Sequence, residues 1–160
     1  MAKAAIQFQK KDEYMTPKEV VDFFGPFDYA PATTKEQAEY LDILDYDTIE
    51  TDGLKSDWSD YNKIWINPPF TKKFDFLQKT FETVLRHPTK VFFLLPAETI
   101  TTKKFHEIVG GQPYRMWIPN GRIKFDDGSG KTSSPAFGSI VLEFGGNIVG
   151  TEIRHWRLDG

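Results

Sequence analysis

Apolar positions along the chain fall into two patterns: the three-to-four-residue step of an amphipathic helix and the short continuous run of a buried strand. The first helix start is written at Thr16-Pro17-Lys18-Glu19, with threonine at the N-cap, proline at the first helical position and glutamate three residues after the threonine. Val20, Val21, Phe23 and Phe24 give this helix an apolar face, and Gly25 stops it. Residues 27–30 read as a short buried strand. Pro31 ends it, and Thr34, with Gln37 in the capping-box position, starts a second helix. Residues 42–60 are acidic and irregular, with a turn at Asp52-Gly53.

A strand rich in β-formers, residues 63–66, runs directly into Asn67-Pro68-Pro69-Phe70, where two prolines end it. Thr71 is the expected cap of the next helix, whose apolar positions Phe74, Leu77, Phe81, Val84 and Leu85 recur at helical spacing up to His87-Pro88. Residues 90–95 form the clearest strand, an apolar run ending at Pro96. A helix over about 102–109 stops at Gly110-Gly111. Residues 114–118 and 122–125 read as two strands around Pro119-Asn120-Gly121, the second of them with a loop as its alternative. Residues 126–135 lack packing side chains and are expected to form a mobile loop. The chain closes on residues 138–144 and 151–158, an apparent hairpin across Gly145-Gly146-Asn147.

Strands alternating with helices predict an α/β sandwich around a mostly parallel sheet, with the C-terminal antiparallel hairpin at one edge. Sheets of this kind bind ligands at the carboxyl ends of their strands, which directs attention to the loops after Ala30, Ile66 and Leu95. There are no internal repeats.

With 160 residues, 39% of them hydrophobic and 27% charged, the chain suits one globular domain able to carry its own core. It has no cysteine, which excludes disulfides, cysteine zinc sites, iron–sulfur clusters and a thiol nucleophile, and fits a reducing compartment. No apolar run is long enough to span a bilayer and residues 1–11 do not resemble a signal peptide, so the expectation is a cytoplasmic protein without membrane association. The net charge of −3 conceals a segregation: residues 1–60 hold 14 acids and 6 bases, residues 61–160 hold 9 acids and 14 bases. A basic face in the second part could meet phosphate, with Lys72, Lys73, Arg122, Lys124 and Lys131 as candidate contacts and ordinary surface charge as the alternative. His87, His106 and His155 are far apart without carboxylates at ligand spacing, so no metal site is expected. Gly128-Ser129-Gly130-Lys131-Thr132 fails as a phosphate-binding loop, because Phe125 stands where glycine is required and Ser133-Ser134-Pro135 denies it a following helix.

The chemistry concentrates at Asn67-Pro68-Pro69-Phe70. The prolines stiffen the backbone and remove two N–H donors, leaving the local carbonyls as acceptors. The Asn67 side-chain oxygen and the Pro68 carbonyl can together accept both hydrogens of an exocyclic amine, while Phe70 stacks on the ring that bears it. An amine held this way delocalises its lone pair less into the ring and can be aimed at an electrophilic methyl group. Such a device works by positioning and polarisation without a strong general base. A plain surface turn is the competing reading.

These residues resemble the catalytic motif of amino-group methyltransferases, and the chain over roughly 14–144 resembles the phage DNA N-6-adenine methyltransferase (Dam-like) family. The resemblance is carried, in order, by Met15-Thr16-Pro17, Phe24-Gly25-Pro26-Phe27-Asp28, Asp52-Gly53-Leu54 with Trp58, Trp65-Ile66-Asn67-Pro68-Pro69-Phe70, Leu94-Leu95-Pro96-Ala97 with Thr99, Thr101 and Phe105-His106, Gly121-Arg122-Ile123-Lys124-Phe125, and Phe137-Gly138-Ser139. It implies a Rossmann-like methyltransferase domain over 14–160 behind an N-terminal arm over 1–13, S-adenosylmethionine as cofactor, and transfer of its methyl group to N6 of a flipped adenine in DNA. It further implies that Asn67, Pro68, Pro69 and Phe70 hold the base, that Thr16, Pro17, Asp28, Ala30, Pro31 and Asp52 surround the donor, and that the protein shields phage DNA from restriction in the host cytoplasm as a monomer or homodimer. One departure stands out. Where the family's Asp-x-Asp-Pro carries its second acid, expected to help hold the cofactor's methionine end, this chain has Ala30 in Asp28-Tyr29-Ala30-Pro31. This departure and the lack of a glycine-rich G-x-G loop favour, as the alternative, a catalytically inactive DNA- or protein-binding relative; the same motif also serves N4 of cytosine, RNA and protein glutamine, which stay open as other targets.

Overall fold

In the computed structural model, residues 15–126, 132–133 and 138–158 are described. The expected N-terminal arm lies outside them. In chain order the elements are α1 (Lys18–Phe24), β1 (Tyr29–Ala30), α2 (Lys35–Tyr40), β2 (Asp45–Tyr46), β3 (Lys63–Ile66), α3 (Lys73–Val84), β4 (Lys90–Pro96), α4 (Lys103–Val109), β5 (Arg115–Pro119), β6 (Phe125–Asp126), β7 (Thr132–Ser133), β8 (Ser139–Phe144) and β9 (Glu152–Trp156). Single 3₁₀ turns lie at Gly53–Lys55, Phe70–Lys72 and Ala97–Thr101.

Seven strands make one sheet in the order β2-β1-β3-β4-β8-β5-β9, and β6 pairs with β7 in a separate antiparallel ribbon. Within the sheet β8 runs antiparallel to both its neighbours, and every other pairing is parallel. The central strands are buried on both faces, which is why they read as unbroken apolar runs. Ile64, Ile66, Val91, Phe93, Leu95, Ile140, Leu142 and Phe144 face one core under α3 and α4, with Phe76, Leu77, Phe81, Phe105 and Val109. The intervening Trp65, Phe92, Leu94 and Val141 face a second core under α1, with Val20, Val21, Phe24 and Trp156. Helices on both faces of a mostly parallel sheet are the expected sandwich.

Several local expectations are corrected. The two final strands do not form a hairpin: β5 lies between them, antiparallel to β8 and parallel to β9, with Arg115 opposite Glu143 on one side and Glu152 on the other. Gly145 and Gly146, at φ 88° and 70°, turn the chain back against the start of β4, where a Cβ on Gly145 would lie 2.4 Å from the Thr89 carbonyl oxygen. The turn was legible and the partner was not, because period-two patterning does not encode which strand pairs with which. The acidic stretch 42–60 contains β2, two residues long and paired with β1. The expected loop 126–135 contributes Asp126, Thr132 and Ser133 to the β6–β7 ribbon, and its other residues lie outside those described. Thr71 caps nothing, since a 3₁₀ turn at Phe70–Lys72 leads into α3. Thr34 and Thr102 do cap, accepting from the Gln37 and Phe105 N–H groups, and Gly110 at φ 58° ends α4 as read.

At the end of the sheet away from the loops of interest, Glu143 is 2% exposed and accepts from Lys90 Nζ (3.0 Å), Arg115 Nη1 (3.1 Å) and Trp117 Nε1 (3.0 Å). Burial alone would raise its carboxyl pKa. The bond from Trp117 and the charges of Lys90 and Arg115 outweigh burial and hold the pKa below the ordinary value of 4.5. A depressed folded-state pKa gives stability that is present above the ordinary value and lost as pH falls through the folded one. Glu143→Gln is therefore expected to lower unfolding stability by about 2 kcal/mol at pH 7. The difference from wild type closes on acidification below about pH 4, as urea midpoints measured across that range would show.

Candidate functional site

After β1 the chain moves outward to β2, then returns to the other side of β1 as β3. This reversal of strand order opens a crevice at the carboxyl ends of β1 and β3, the usual ligand position in such sheets. Asn67 leaves the end of β3 into that crevice's rim, followed by Pro68 and Pro69, all three half-buried. The Lys72 N–H occupies the Pro69 carbonyl at 3.0 Å, leaving the Pro68 carbonyl as the candidate acceptor of the pair. Phe70 is half-buried, and the Lys73 ammonium lies 5.9 Å from its ring.

Asn67 is tethered on its amide nitrogen. Its Nδ2 donates to Thr16 Oγ1 at 2.9 Å, so its carbonyl oxygen is directed away from that bond. Thr16 is completely buried, and its hydroxyl also accepts from Gln37 Nε2 at 3.3 Å. The expected N-cap role of Thr16 is thus not what its side chain does: Pro17 is the capping residue of α1 and makes no side-chain cap bond. Gln37 likewise turns its amide toward Thr16, although its backbone N–H is capped by Thr34.

The residues expected around the donor divide between the two ends of the sheet. Asp28 precedes β1, at the amino ends of the strands, and its carboxylate accepts from the Asn62 and Lys63 N–H groups at 2.8 and 2.9 Å. It secures the start of β3 and lies away from the crevice. Ala30 is 2% exposed and its methyl packs in the core under α1, so this position faces the core. Thr16 lies beneath Asn67. Pro17 is half-buried at the head of α1. Pro31 is buried at the carboxyl end of β1, and Gly53 packs against its carbonyl so closely that a Cβ there would stand 1.9 Å from the oxygen. Asp52, at φ 57°, caps the Gly53–Lys55 turn through a 3.1 Å bond from the Leu54 N–H.

Sequence reasoning missed Asp47. It follows β2 at the carboxyl end of the sheet, where its N–H donates to the Ala30 carbonyl and its own carbonyl accepts from the Thr33 N–H, at 3.0 and 3.1 Å. Its Oδ2 accepts from the Tyr29 hydroxyl and from Ser56 Oγ, the latter at 2.6 Å. Partial burial works to raise its pKa, but hydrogen bonds from Ser56, Tyr29 and Thr51 together hold it below the ordinary carboxylate value. Burial and the bond to Asp47 push the Tyr29 hydroxyl well above its ordinary pKa. Lys79, also unforeseen, donates to the Leu54 carbonyl at 2.8 Å and tethers α3 to the turn that carries Gly53.

Among the described residues, the basic candidates share the carboxyl end. Lys72 is exposed just after Phe70, and Lys73 is half-buried. Arg122 and Lys124 follow the carboxyl end of β5, exposed on either side of the fully buried Ile123. β5 is three strands from β3, a lateral distance of about 14 Å. Lys131 lies outside the described residues. His106 Nε2 is 2.9 Å from the Ile100 carbonyl oxygen, so its ring ties α4 to the preceding 3₁₀ turn.

Strand order and switch point define a doubly wound α/β protein whose crevice is bordered by an amide-proline-proline-aromatic turn. Comparison with known proteins then gives the family: the profile of DNA N-6-adenine-methyltransferase (Dam) matches residues 3–144, and the chain belongs to that family. It is 26% identical over 144 residues to the DNA N-6-adenine-methyltransferase of Escherichia phage T1, an alignment covering 88% of this chain. This chain spans 58% of that relative's length. No helix among the described residues is long and apolar enough to cross a membrane.

Proposed function

We propose that this chain transfers the methyl group of S-adenosylmethionine to N6 of an adenine flipped out of DNA. The observation that carries the reading is the tethered amide of Asn67: with Nδ2 committed to Thr16, Oδ1 is the atom offered to a target amine beside the Pro68 carbonyl. Two acceptors on the amine hydrogens raise electron density on nitrogen and aim its lone pair, and Phe70 holds the ring face. A bound donor would supply the methyl group with its carbon–sulfur electron pair returning to sulfur, while Asn67 Oδ1 and the Pro68 carbonyl hold the accepting nitrogen, whose proton would pass to water.

The crevice chemistry fits an adenosyl donor, which supplies an electrophilic methyl group when bound. Asp47 is an ionised acceptor at the end of β2 suited to ribose hydroxyls, and Asp52 adds a carboxylate suited to an adenine amine. The core-facing position of Ala30 supports an active enzyme over a silent relative, since an acid there would be buried in an apolar cluster rather than presented to a ligand. Lys72, Lys73, Arg122 and Lys124 contact the DNA backbone in this reading, and the cellular role is protection of phage DNA from restriction in the host cytoplasm. Cytosine N4 can be seated by the same two acceptors; the adenine named by the family favours N6.

The test is transfer of a labelled methyl group from S-adenosylmethionine to unmethylated plasmid DNA, with the nucleosides separated by mass. Labelled N6-methyladenine is the expected product. Label in N4-methylcytosine would change the target, and donor binding without any label in DNA would overturn the reading.

A further inference from the structure

We propose that Gln37 is a positioning residue for Asn67, acting through the Thr16 hydroxyl, so that α2 sets the orientation of the catalytic amide at the end of β3. The proposal deepens the function proposed above and rests on it for its kinetic consequence. Four side chains form a continuous relay, buried at Thr16 and Gln37 and half-buried at its two ends. Thr33 Oγ1 donates to Gln37 Oε1 at 3.3 Å, Gln37 Nε2 donates to Thr16 Oγ1 at 3.3 Å, and Asn67 Nδ2 donates to the same oxygen at 2.9 Å. Thr16 is 0% exposed and Gln37 6% exposed. Buried amides and hydroxyls are costly unless bonded, so each member holds the others in place.

The consequence for Asn67 follows from amide geometry. The terminal torsion of an asparagine is broad and roughly two-fold, so an untethered amide samples both the orientation that offers a carbonyl to the target and the one that offers N–H donors against the amine. A hydroxyl oxygen has two acceptor lone pairs, and here both face amide N–H groups, one from Gln37 and one from Asn67. Gln37 thereby helps fix where the Thr16 oxygen and its lone pairs lie, and Asn67 is held against that fixed point. The relay spans 21 residues from Thr16 to Gln37 and 51 from Thr16 to Asn67, joining the helix that follows β1 to the turn that follows β3. It therefore ties the two walls of the crevice to one another at the reacting group.

The test uses the full chain with Gln37→Met, which keeps length and removes the bonds, and Thr16→Val with Thr16→Ser as its conservative counterpart. Turnover on unmethylated plasmid DNA at saturating donor, the donor KM, the thermal midpoint and the NMR resonances of the Asn67 side-chain amide are read together. The expected result is a kcat lowered about 10- to 100-fold in Gln37→Met and Thr16→Val. Donor KM stays within about twofold, the Asn67 amide resonances move while those of Asn62 stay, and Thr16→Ser recovers most of the kcat lost in Thr16→Val. An unchanged kcat in folded Gln37→Met, or Asn67 resonances that do not move, overturns the proposal. If Gln37→Met does not fold, Thr33→Val, which removes the outermost relay bond together with a 3.4 Å bond to the Thr34 carbonyl, carries the same readings. If the wild-type chain transfers no methyl group at all, the proposed function falls, and the Asn67 resonances alone decide whether the relay orients the amide.

Discussion

Asn67→Ala is expected to lower kcat for methyl transfer by roughly 100- to 1,000-fold while leaving the fold intact, the scale on which loss of one preorganised polar contact to a reacting group is felt. Asn67 is half-buried and belongs to neither core cluster, and among the described residues its amide bonds Thr16, so truncation removes no part of either core. Thr16 keeps its bond from Gln37. Single-turnover kinetics with labelled donor would isolate the effect on chemistry, and a thermal midpoint close to that of wild type would confirm that the loss is local. Asn67→Asp should retain a measurable fraction of the rate, because a carboxylate still accepts from the amine and the Thr16 hydroxyl can turn to donate to it. Full activity in Asn67→Ala would contradict the assignment of the seat.

The largest expected effect on stability comes from Gly53→Ala. An added Cβ would stand 1.9 Å from the Pro31 carbonyl oxygen and 2.7 Å from its carbon, both backbone atoms, so the clash cannot be relieved by rotating a side chain. The Gly53 carbonyl also accepts from Trp58 Nε1 at 2.9 Å, and Trp58 is 1% exposed, so the turn cannot back away without leaving a buried indole N–H unpaired. The expected cost is about 3 kcal/mol or more, a fall of roughly 6–12 °C in Tm for a chain of this size. Donor binding should weaken with it, because the same contact holds the loop after β1. Gly111→Ala, at an exposed position with no atom within 4 Å of the added Cβ, provides the comparison and should change stability by less than about 0.5 kcal/mol. Differential scanning calorimetry of the two variants would distinguish steric exclusion from a general intolerance of glycine replacement.

The parts of the molecule that were legible in the sequence are those where one physical demand acts alone. β3 and β4 are buried on both faces and bounded by proline, so their runs have one reading. The turn at Asn67 to Phe70 was legible because two prolines directly after a buried run end the strand there. β2 escaped because two residues, one of them an exposed aspartate, carry no period, and Asp47 escaped with it. Thr16 and Gln37 are the instructive pair. Both stand in helix-start signals, Thr-Pro-x-Glu and Thr-x-x-Gln, yet the Gln37 side chain bonds Thr16 and the Thr16 side chain accepts from the amide at the end of β3. A capping residue and a site residue draw on the same small polar side chains, and local spacing cannot distinguish a hydroxyl that bonds its own helix from one that bonds a strand 51 residues on.

The two walls of the crevice are built to different strengths. β3, β4 and β8 are bound by ladders of four and six residue pairs, whereas β1 meets β2 through two pairs and β3 through one. Opening free energies follow local ladder length, so the shortest ladders of the seven-stranded sheet mark its softest seam, along β1. Breathing along that seam loosens the outer wall, where the donor is proposed to lie, without breaking the β3–β4 ladder that carries Asn67. A small, local opening there would let the proposed donor exchange, and amide protons of β1 and β2 will trade with solvent sooner than those of β4.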